Sequence, residues 1–258
     1  MYDIETRPMC SFHWGARDQN ITPKQVLDSG GVLCWAASWL DERKIRFASD
    51  HHDGHENMVG QLWELIDAAD IVIGYNQVGF DDKRMHVEYR RCGLPIPSPS
   101  KPVDLLKAVR ARFGFPINKL ESVAIELGVG RKVAHTGWDL WVRCITDELG
   151  APYLGPVPQG GGDPKAWATM KRYCRQDVAL TTDVYTELRQ GGWIKNHPHL
   201  GLFGGDPDGC PTCGGSNLTD VGNASTGTAV YPAYRCDDCE ALSRLPRRIG
   251  NTTGTRAL

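Results

Sequence analysis

Asp70-Ile71-Val72-Ile73-Gly74-Tyr75-Asn76 is the stretch on which the fold turns. Its apolar residues run together instead of alternating, the pattern of a strand covered on both faces in an α/β sheet. The neighbouring residues on either side agree. Phe80 to Cys92 has helical character and is stopped by Gly93, so a buried strand feeds into a helix. Before it, His55 to Ala68 places Met58, Leu62, Leu65 and Ile66 on one helical stripe. The first fifty residues read differently. Tyr2 to Thr6, Gly31 to Leu40 and Arg43 to Ala48 are strand-like, the last two joined by a tight turn at Asp41-Glu42, which predicts an antiparallel meander.

Working outward toward the C-terminus, Asn118-x-x-Glu121 has the form of a capping box opening a helix that ends at Gly128, and Trp138 to Leu149 predicts another helix. Glycine and proline crowd Gly150 to Gly162, which reads as a mobile loop. Asp163-Pro164 then supplies a cap and first-turn pair. Ala166, Met170, Tyr173, Asp177, Leu180, Val184 and Leu188 recur at three- and four-residue steps until Gly191-Gly192, predicting one long helix. After Trp193 the composition shifts to His, Pro, Gly and Asp, which puts a boundary between Asn196 and Gly209: a first domain over 1–195 and a second over 206–258.

The chain has 258 residues, 41% of them hydrophobic and 23% charged, enough apolar surface for a sizeable core and too ordinary for a disordered or collagen-like chain. Its apolar runs fall short of the roughly 18 residues of a spanning helix, and Met1 is followed by Tyr-Asp-Ile-Glu instead of a basic and then a hydrophobic region. The expectation is a cytoplasmic protein with no membrane association. Nine cysteines are too few for a disulfide scaffold. A net charge of −2 gives no broad basic signature. Local runs do: Lys83 to Arg112, and a tail bearing Arg244, Arg247, Arg248 and Arg256, where either a phosphate backbone or plain solvent is the expected neighbour. A Gly-x-Ser-x-Gly elbow, a P-loop and a dinucleotide fingerprint are all missing, which argues against triad hydrolase, NTPase and oxidoreductase functions.

Three short segments carry chemistry. In Asp3-Ile4-Glu5, period-two alternation sends both carboxylates to one face of a strand, where like charges raise each other's pKa unless something neutralises them. Asp81 closes Asn76-Gln-Val-Gly-Phe80-Asp81 at the C-terminal end of the buried strand, the usual place for sites in α/β sheets, although an N-cap is the plainer role. Tyr173 and Asp177 stand one turn apart on the long helix, and an aspartate among Met170, Leu180 and Val184 needs a cation or a hydrogen-bond partner.

In this order, Asp-x-Glu-Thr at Asp3 to Thr6, Asn-x-x-x-Phe-Asp at Asn76 to Asp81 and Tyr-x-x-x-Asp at Tyr173 to Asp177 resemble the three motifs of the DEDDy class of DnaQ-like 3′-5′ exonucleases, in the ribonuclease-H-like superfamily. The resemblance covers residues 1 to 192. It implies an α/β fold, a ribonuclease-H-like mixed sheet flanked by helices, and two-metal hydrolysis of phosphodiesters with Mg²⁺ or Mn²⁺. In that scheme Asp3 bridges both ions, Glu5 and Asp177 bind the ion carrying the nucleophilic water, Asp81 helps hold the second ion, and Tyr173 orients the water. Thr6, Asn76 and Phe80 would grip the terminal nucleotide, with simple core packing the other role for Phe80. Only Met1 and Tyr2 precede Asp3, where that family has several apolar residues, so either the first strand is expected to be short or the true start lies upstream. The substrate expected is nucleic acid: single-stranded or frayed DNA first, RNA as the same-class alternative. An adaptor that binds nucleic acid with a silent nuclease site is the alternative of another class.

Cys210-x-x-Cys213 and Cys236-x-x-Cys239 have the knuckle spacing of a structural Zn²⁺ site, and Gly214-Gly215 suits the turn after the first knuckle. This resembles a small zinc-ribbon domain, which would grip nucleic acid or dock a protein partner. The remaining cysteines, Cys10, Cys34, Cys92, Cys144 and Cys174, read as small buried hydrophobes. His51, His52 and His55 read as a solvated loop and helix start, and Trp138 and Trp141 as core.

Overall fold

Alternation builds the first strand, β1 (Tyr2–Arg7): Tyr2 and Ile4 are buried among apolar neighbours on one side, while Asp3 and Glu5 take the other. The computed structural model describes residues 1–258 apart from 16, 18, 19, 41, 133–135, 204 and 252–258. A small ribbon of β2 (Cys10–Ser11) and β3 (Val26–Asp28) leads to β4 (Gly31–Ala37), which is buried throughout. β4 pairs antiparallel with β1 and with β5 (Arg46–Ser49), giving the order β1-β4-β5 of the expected meander. The turn expected at Asp41-Glu42 includes Asp41, which lies outside the described residues. A bulge beside Glu5 and Thr6 gives β4 one extra residue. Leu33, Cys34 and Ala36 therefore enter one core, and Val32, Trp35 and Ala37 the other.

The helical part follows as α1 (Asp50–Asp53) and α2 (His55–Asp67), then β6 (Ile71–Gly74), α3 (Asp81–Arg91), β7 (Lys101–Asp104), α4 (Leu105–Arg112), α5 (Leu120–Glu126), α6 (Trp138–Ile145) and α7 (Pro164–Gln190). β6 and β7 pair in parallel around α3, so the decisive stretch does open a strand-helix-strand unit. One core takes Met58 and Leu62 from α2 and Met85 and Tyr89 from α3; the other takes Leu140 and Cys144 from α6 and Trp167, Met170 and Val178 from α7. Helices thus cover both faces of the β1-β4-β5 sheet in a mixed α/β arrangement. β6 runs alongside β1, yet no hydrogen-bonded ladder joins them among the described residues. The Ile4 N–H instead donates to Asp81 Oδ1 at 3.2 Å, so a carboxylate stands where a partner strand's carbonyl would be.

Several local expectations are corrected. Asn118 does not cap α5: the N-cap is Lys119, and Asn118 Nδ2 donates to the Phe115 carbonyl at 3.4 Å. α6 stops at Ile145 instead of Leu149, because Thr146 is extended and bridges Pro152. The glycine-rich segment 150–162, expected to be mobile, is tied at several points. The Gly155 N–H donates to Asp28 Oδ2 at 3.2 Å, the Val157 N–H to Asp50 Oδ2 at 2.9 Å and the Gly160 N–H to the His51 carbonyl at 2.8 Å. Asp50 is itself buried and meets Arg7 Nη1 at 3.5 Å and His55 Nδ1 at 2.8 Å; His55 Nε2 lies 3.2 Å from Glu88 Oε2. His51 and His55 are therefore half-buried and engaged instead of solvated, while His52 is exposed as expected though hydrogen-bonded. His51 Nδ1 sits 2.7 Å from the Gly161 carbonyl with its ring stacked on Trp167, and His52 Nδ1 sits 2.7 Å from Ser49 Oγ. Burial disfavours protonation of His55, but its hydrogen bonds to Asp50 and Glu88 outweigh that and lift its pKa to about 9. Cys34, Cys144 and Cys174 are buried as expected, whereas Cys10 and Cys92 are half-buried.

The chain divides into two compact units, Met1–Arg110 with Gly114–Val184, and Ala111–Phe113 with Tyr185–Leu258. In the second, β8 (Leu218–Ser225), β9 (Ala229–Cys236), β10 (Leu242–Arg244) and β11 (Gly250–Asn251) form an antiparallel sheet. β9 is central, paired along one edge with β8 and along the other with β10 and β11. Among the described residues no helix is long and apolar enough to cross a membrane.

Candidate metal centres

Two sets of side chains among the described residues bring metal-ligating atoms within 4.8 Å of one another: Asp3, Glu5 and Asp177, and the four cysteines Cys210, Cys213, Cys236 and Cys239. The first set is made by two periodicities. β1 presents Asp3 and Glu5 on the face covered by α7, where the Cys174 thiol approaches the Asp3 carbonyl at 3.8 Å. α7 presents Tyr173 and, one turn later, Asp177, both buried.

Burial and crowding set the electrostatics. Burial, then the neighbouring charges of Glu5, Asp81 and Asp177, hold the Asp3 carboxyl well above the usual carboxylate range. Glu5 is lifted to about 8 by burial and by Asp177, and Asp81 to about 7 mainly by burial. Burial together with Glu5 and Asp177 pushes the Tyr173 hydroxyl far up as well. Charges 4.8 Å apart repel by about 3.5 kcal/mol at an effective dielectric of roughly 20, so three ionised carboxylates cannot share this space without a cation.

One cation is already there, and sequence reasoning missed it. Lys132 Nζ lies 2.5 Å from Asp177 Oδ2, 3.2 Å from the Tyr173 hydroxyl and 5.2 Å from the centre of the Tyr173 ring. Its stretch of sequence carries no motif, and the contact spans a separation of 45 residues.

The other expected site residues fall around this group. Asp81 is not among the three clustered carboxylates; it begins α3, and its Oδ1 accepts the Ile4 N–H. Thr6 lies opposite the bulge in β4 and is half-buried. Asn76 is exposed with a left-handed backbone (φ 64), its N–H held by Asp104 Oδ1 at 3.1 Å. Asp104 caps α4 through the amides of Leu106 and Lys107 with the same oxygen, a second positioning group that sequence did not reveal. Phe80 is 38% exposed with the Arg84 guanidinium 5.4 Å above its ring, so it is not a core residue. Trp141 meets Tyr173 edge-on at 5.8 Å, but Trp138 is 66% exposed and does not belong to the core expected for it.

In the second set, Cys210 and Cys239 sulfurs lie 3.7 Å apart and those of Cys213 and Cys236 3.6 Å apart. A tetrahedral zinc with bonds of about 2.3 Å sets sulfurs about 3.8 Å apart, so the thiols are spaced for that ion. Two similar turns shape the site. Gly214 N–H returns to the Cys210 carbonyl and Glu240 N–H to the Cys236 carbonyl, both at 2.8 Å, with Gly214 (φ 78) and Glu240 (φ 60) each left-handed. A side chain on Gly215 would come within 2.3 Å of Asp238 Oδ2, the end of an exposed side chain, and 3.4 Å of Cys213 Sγ. Four thiols in this geometry fit a metal ion and are consistent with a structural zinc site. Neither a family model nor a curated protein sequence matches the chain.

Proposed function

We propose that the first unit is a metal-dependent exonuclease of ribonuclease-H-like build that hydrolyses single-stranded or frayed DNA from the 3′ end, with RNA as the alternative substrate. The observation that carries this reading is the convergence of Asp3, Glu5 and Asp177 within 4.8 Å beside the buried Tyr173. Buried carboxylates with raised pKa values are what a site for hard cations looks like before the cations neutralise it. Asp3, Glu5 and Asp177 would hold one Mg²⁺ or Mn²⁺, and Asp3 with Asp81 the second. Bound there, the ions would supply an activated water and charge to balance the phosphoryl oxygens.

The chain's own residues do the remainder. Because its hydroxyl stays protonated through neutral pH, Tyr173 can hold the attacking water by a hydrogen bond but cannot act as its base. Lys132 fixes the Tyr173 hydroxyl and the Asp177 carboxylate relative to each other. The water oxygen bonds to phosphorus and gives up a proton to solvent, the bond from phosphorus to the 3′ oxygen breaks, and the leaving oxygen takes a proton from solvent. Phe80, exposed beside Arg84, is placed to stack on a terminal base. The polarity rests on the motif resemblance alone.

One observation favours a second reading, a nucleic-acid-binding adaptor with a silent site: Lys132 already neutralises Asp177 with no divalent ion. Labelled DNA and RNA oligonucleotides, blocked at either end and incubated with Mg²⁺, Mn²⁺ or a chelator, separate the two. Metal-dependent shortening from a free 3′ end supports the exonuclease; binding without cleavage supports the adaptor; cutting of circular strands refutes both.

A further inference from the structure

The outward side of α7 is charged in a way its helix does not favour. Lys165, Lys171, Arg172 and Arg175 lie in its first half, and the only acid between residues 164 and 182 is the buried Asp177. Lys171 with Arg175 is a like-charged pair one turn apart on α7. Such a pair is mutually repulsive in water, and a bound anion would turn it favourable.

Two of these residues, Lys171 and Arg175, form one wall of a cleft of about 540 Å³, within the usual size of ligand clefts. Lys44, Arg46 and Phe47 line it from β5 and the residues before it, Glu64 from α2, and Lys171 and Arg175 from α7. β5 is the outer strand of its sheet among the described residues, so the cleft follows a sheet edge. Lys171 Nζ stands 5.5 Å above the Phe47 ring, and Arg46 is held by Glu42, which also lies near Lys44; of the residues lining the groove, Lys44, Arg46, Lys171 and Arg175 are cations and Glu64 is the one acid. Positions 171 and 175 are offset by two residues from 173 and 177, about 200° around the helix. The cleft therefore lies on the reverse side of α7 from the carboxylates.

We infer that this cleft holds the sugar-phosphate backbone of single-stranded nucleic acid, away from the point of cleavage. The inference rests on the exonuclease reading only for why such a strand is present. Lining from β5, α2 and α7 brings cations from two distant segments to one groove, as a phosphate backbone requires. Trp35 at the floor is sealed, so the groove offers few of the apolar pockets that a peptide's anchoring side chains would need. The charge would act as a tether that keeps a long strand bound between cleavage events.

Fluorescence anisotropy with oligo(dT) and oligo(rU) of roughly 20 nucleotides, protected by phosphorothioate at the 3′ end, tests this across a salt series. Removing two phosphate contacts with Lys171→Gln/Arg175→Gln should flatten the slope of log K against log salt by about 1.4 and weaken binding about 5- to 10-fold at low salt. Lys44→Gln, on the opposite wall, should flatten it by about 0.7. Cleavage of a chromogenic nucleotide ester, too short to reach the cleft, should be unchanged in both variants. Unaltered affinity and slope in both would overturn the inference, as would oligo-glutamate binding as tightly as the oligonucleotides with the same losses. If wild type cleaves nothing but its binding responds to these variants, the exonuclease reading fails and the cleft stands. If cleavage is intact and binding ignores them, the cleft fails alone.

Discussion

Replacing Cys236 with serine should release zinc and unfold β8 to β10 while leaving the first unit folded. The magnitude follows from what little else is buried around the cysteines. Beyond α7, the buried apolar residues near the strands are Cys210, Ala229, Ala233, Cys236 and Ala241. At about 0.8 kcal/mol for each carbon-sized group, they supply at most about 5 kcal/mol. The larger side chains help little: Leu218 packs part-buried against the cysteines, while Leu242 is 66% exposed and Ile249 61%. Zinc bound by four thiolates is worth about 10–16 kcal/mol, so in that site it would be the largest stabilising contribution to this sheet. A chromogenic chelator should report one zinc per wild-type chain and none for Cys236→Ser. Hydrogen exchange should show loss of protection along β8 and β9, with β4 and α2 unchanged. Persistent protection of β9 after zinc has left would refute the argument that the metal, and not side-chain packing, holds these strands.

Asp177→Asn should reduce hydrolysis by about three orders of magnitude or more, because the clustered carboxylates act as a unit, whereas Tyr173→Phe should be milder; single-turnover degradation of a labelled oligonucleotide measures both. Without divalent ions, thermal stability should fall as pH rises. Glu5 has a folded pKa of about 8 against 4.5 and Asp81 of about 7 against 3.8, so the folded state binds more protons across that window and the contribution is fully present only below it. Added Mg²⁺ or Mn²⁺ should remove that decline in melting scans, and an equal slope with and without the ions would count against the metal site. His55→Gln should cost about 1–2 kcal/mol after allowance for solvent screening, most below pH 6.5 and vanishing as pH rises through about 9, as measured by urea unfolding at several pH values.

Local spacing made part of this architecture legible. Strand alternation at Asp3 and Glu5, the helical step from Tyr173 to Asp177 and the two cysteine knuckles each depend on residues within one element or turn, and the structure brings each group together. What escaped were contacts between distant segments. Nothing in the surroundings of Lys132 announces that it reaches Asp177. Asp50, His55 and Glu88 look like solvated polar residues until folding places Arg7 and the Val157 amide against them, the latter across a separation of 107 residues. Composition likewise shows that Trp138 is large and apolar, but its exposure depends on which face of a short helix meets the core. The single sheet implied by the resemblance meets a similar limit. Whether β6 pairs with β1 turns on where one aspartate carboxylate comes to rest.

The tethers of segment 150–162 bear on how this protein can be engineered. By composition it is the natural place to insert a tag or a guest domain, since Gly155, Gly160, Gly161 and Gly162 resemble a flexible linker. Its amides, however, are committed to Asp28, Asp50 and the His51 carbonyl, so a guest placed there would pull hydrogen bonds out of a buried ionic cluster. The hairpin between β8 and β9 is the better port: its exposed tip at residues 226–228 is closed only by local bonds between Thr226 and Ala229, and a fusion there would leave the aspartate tethers intact.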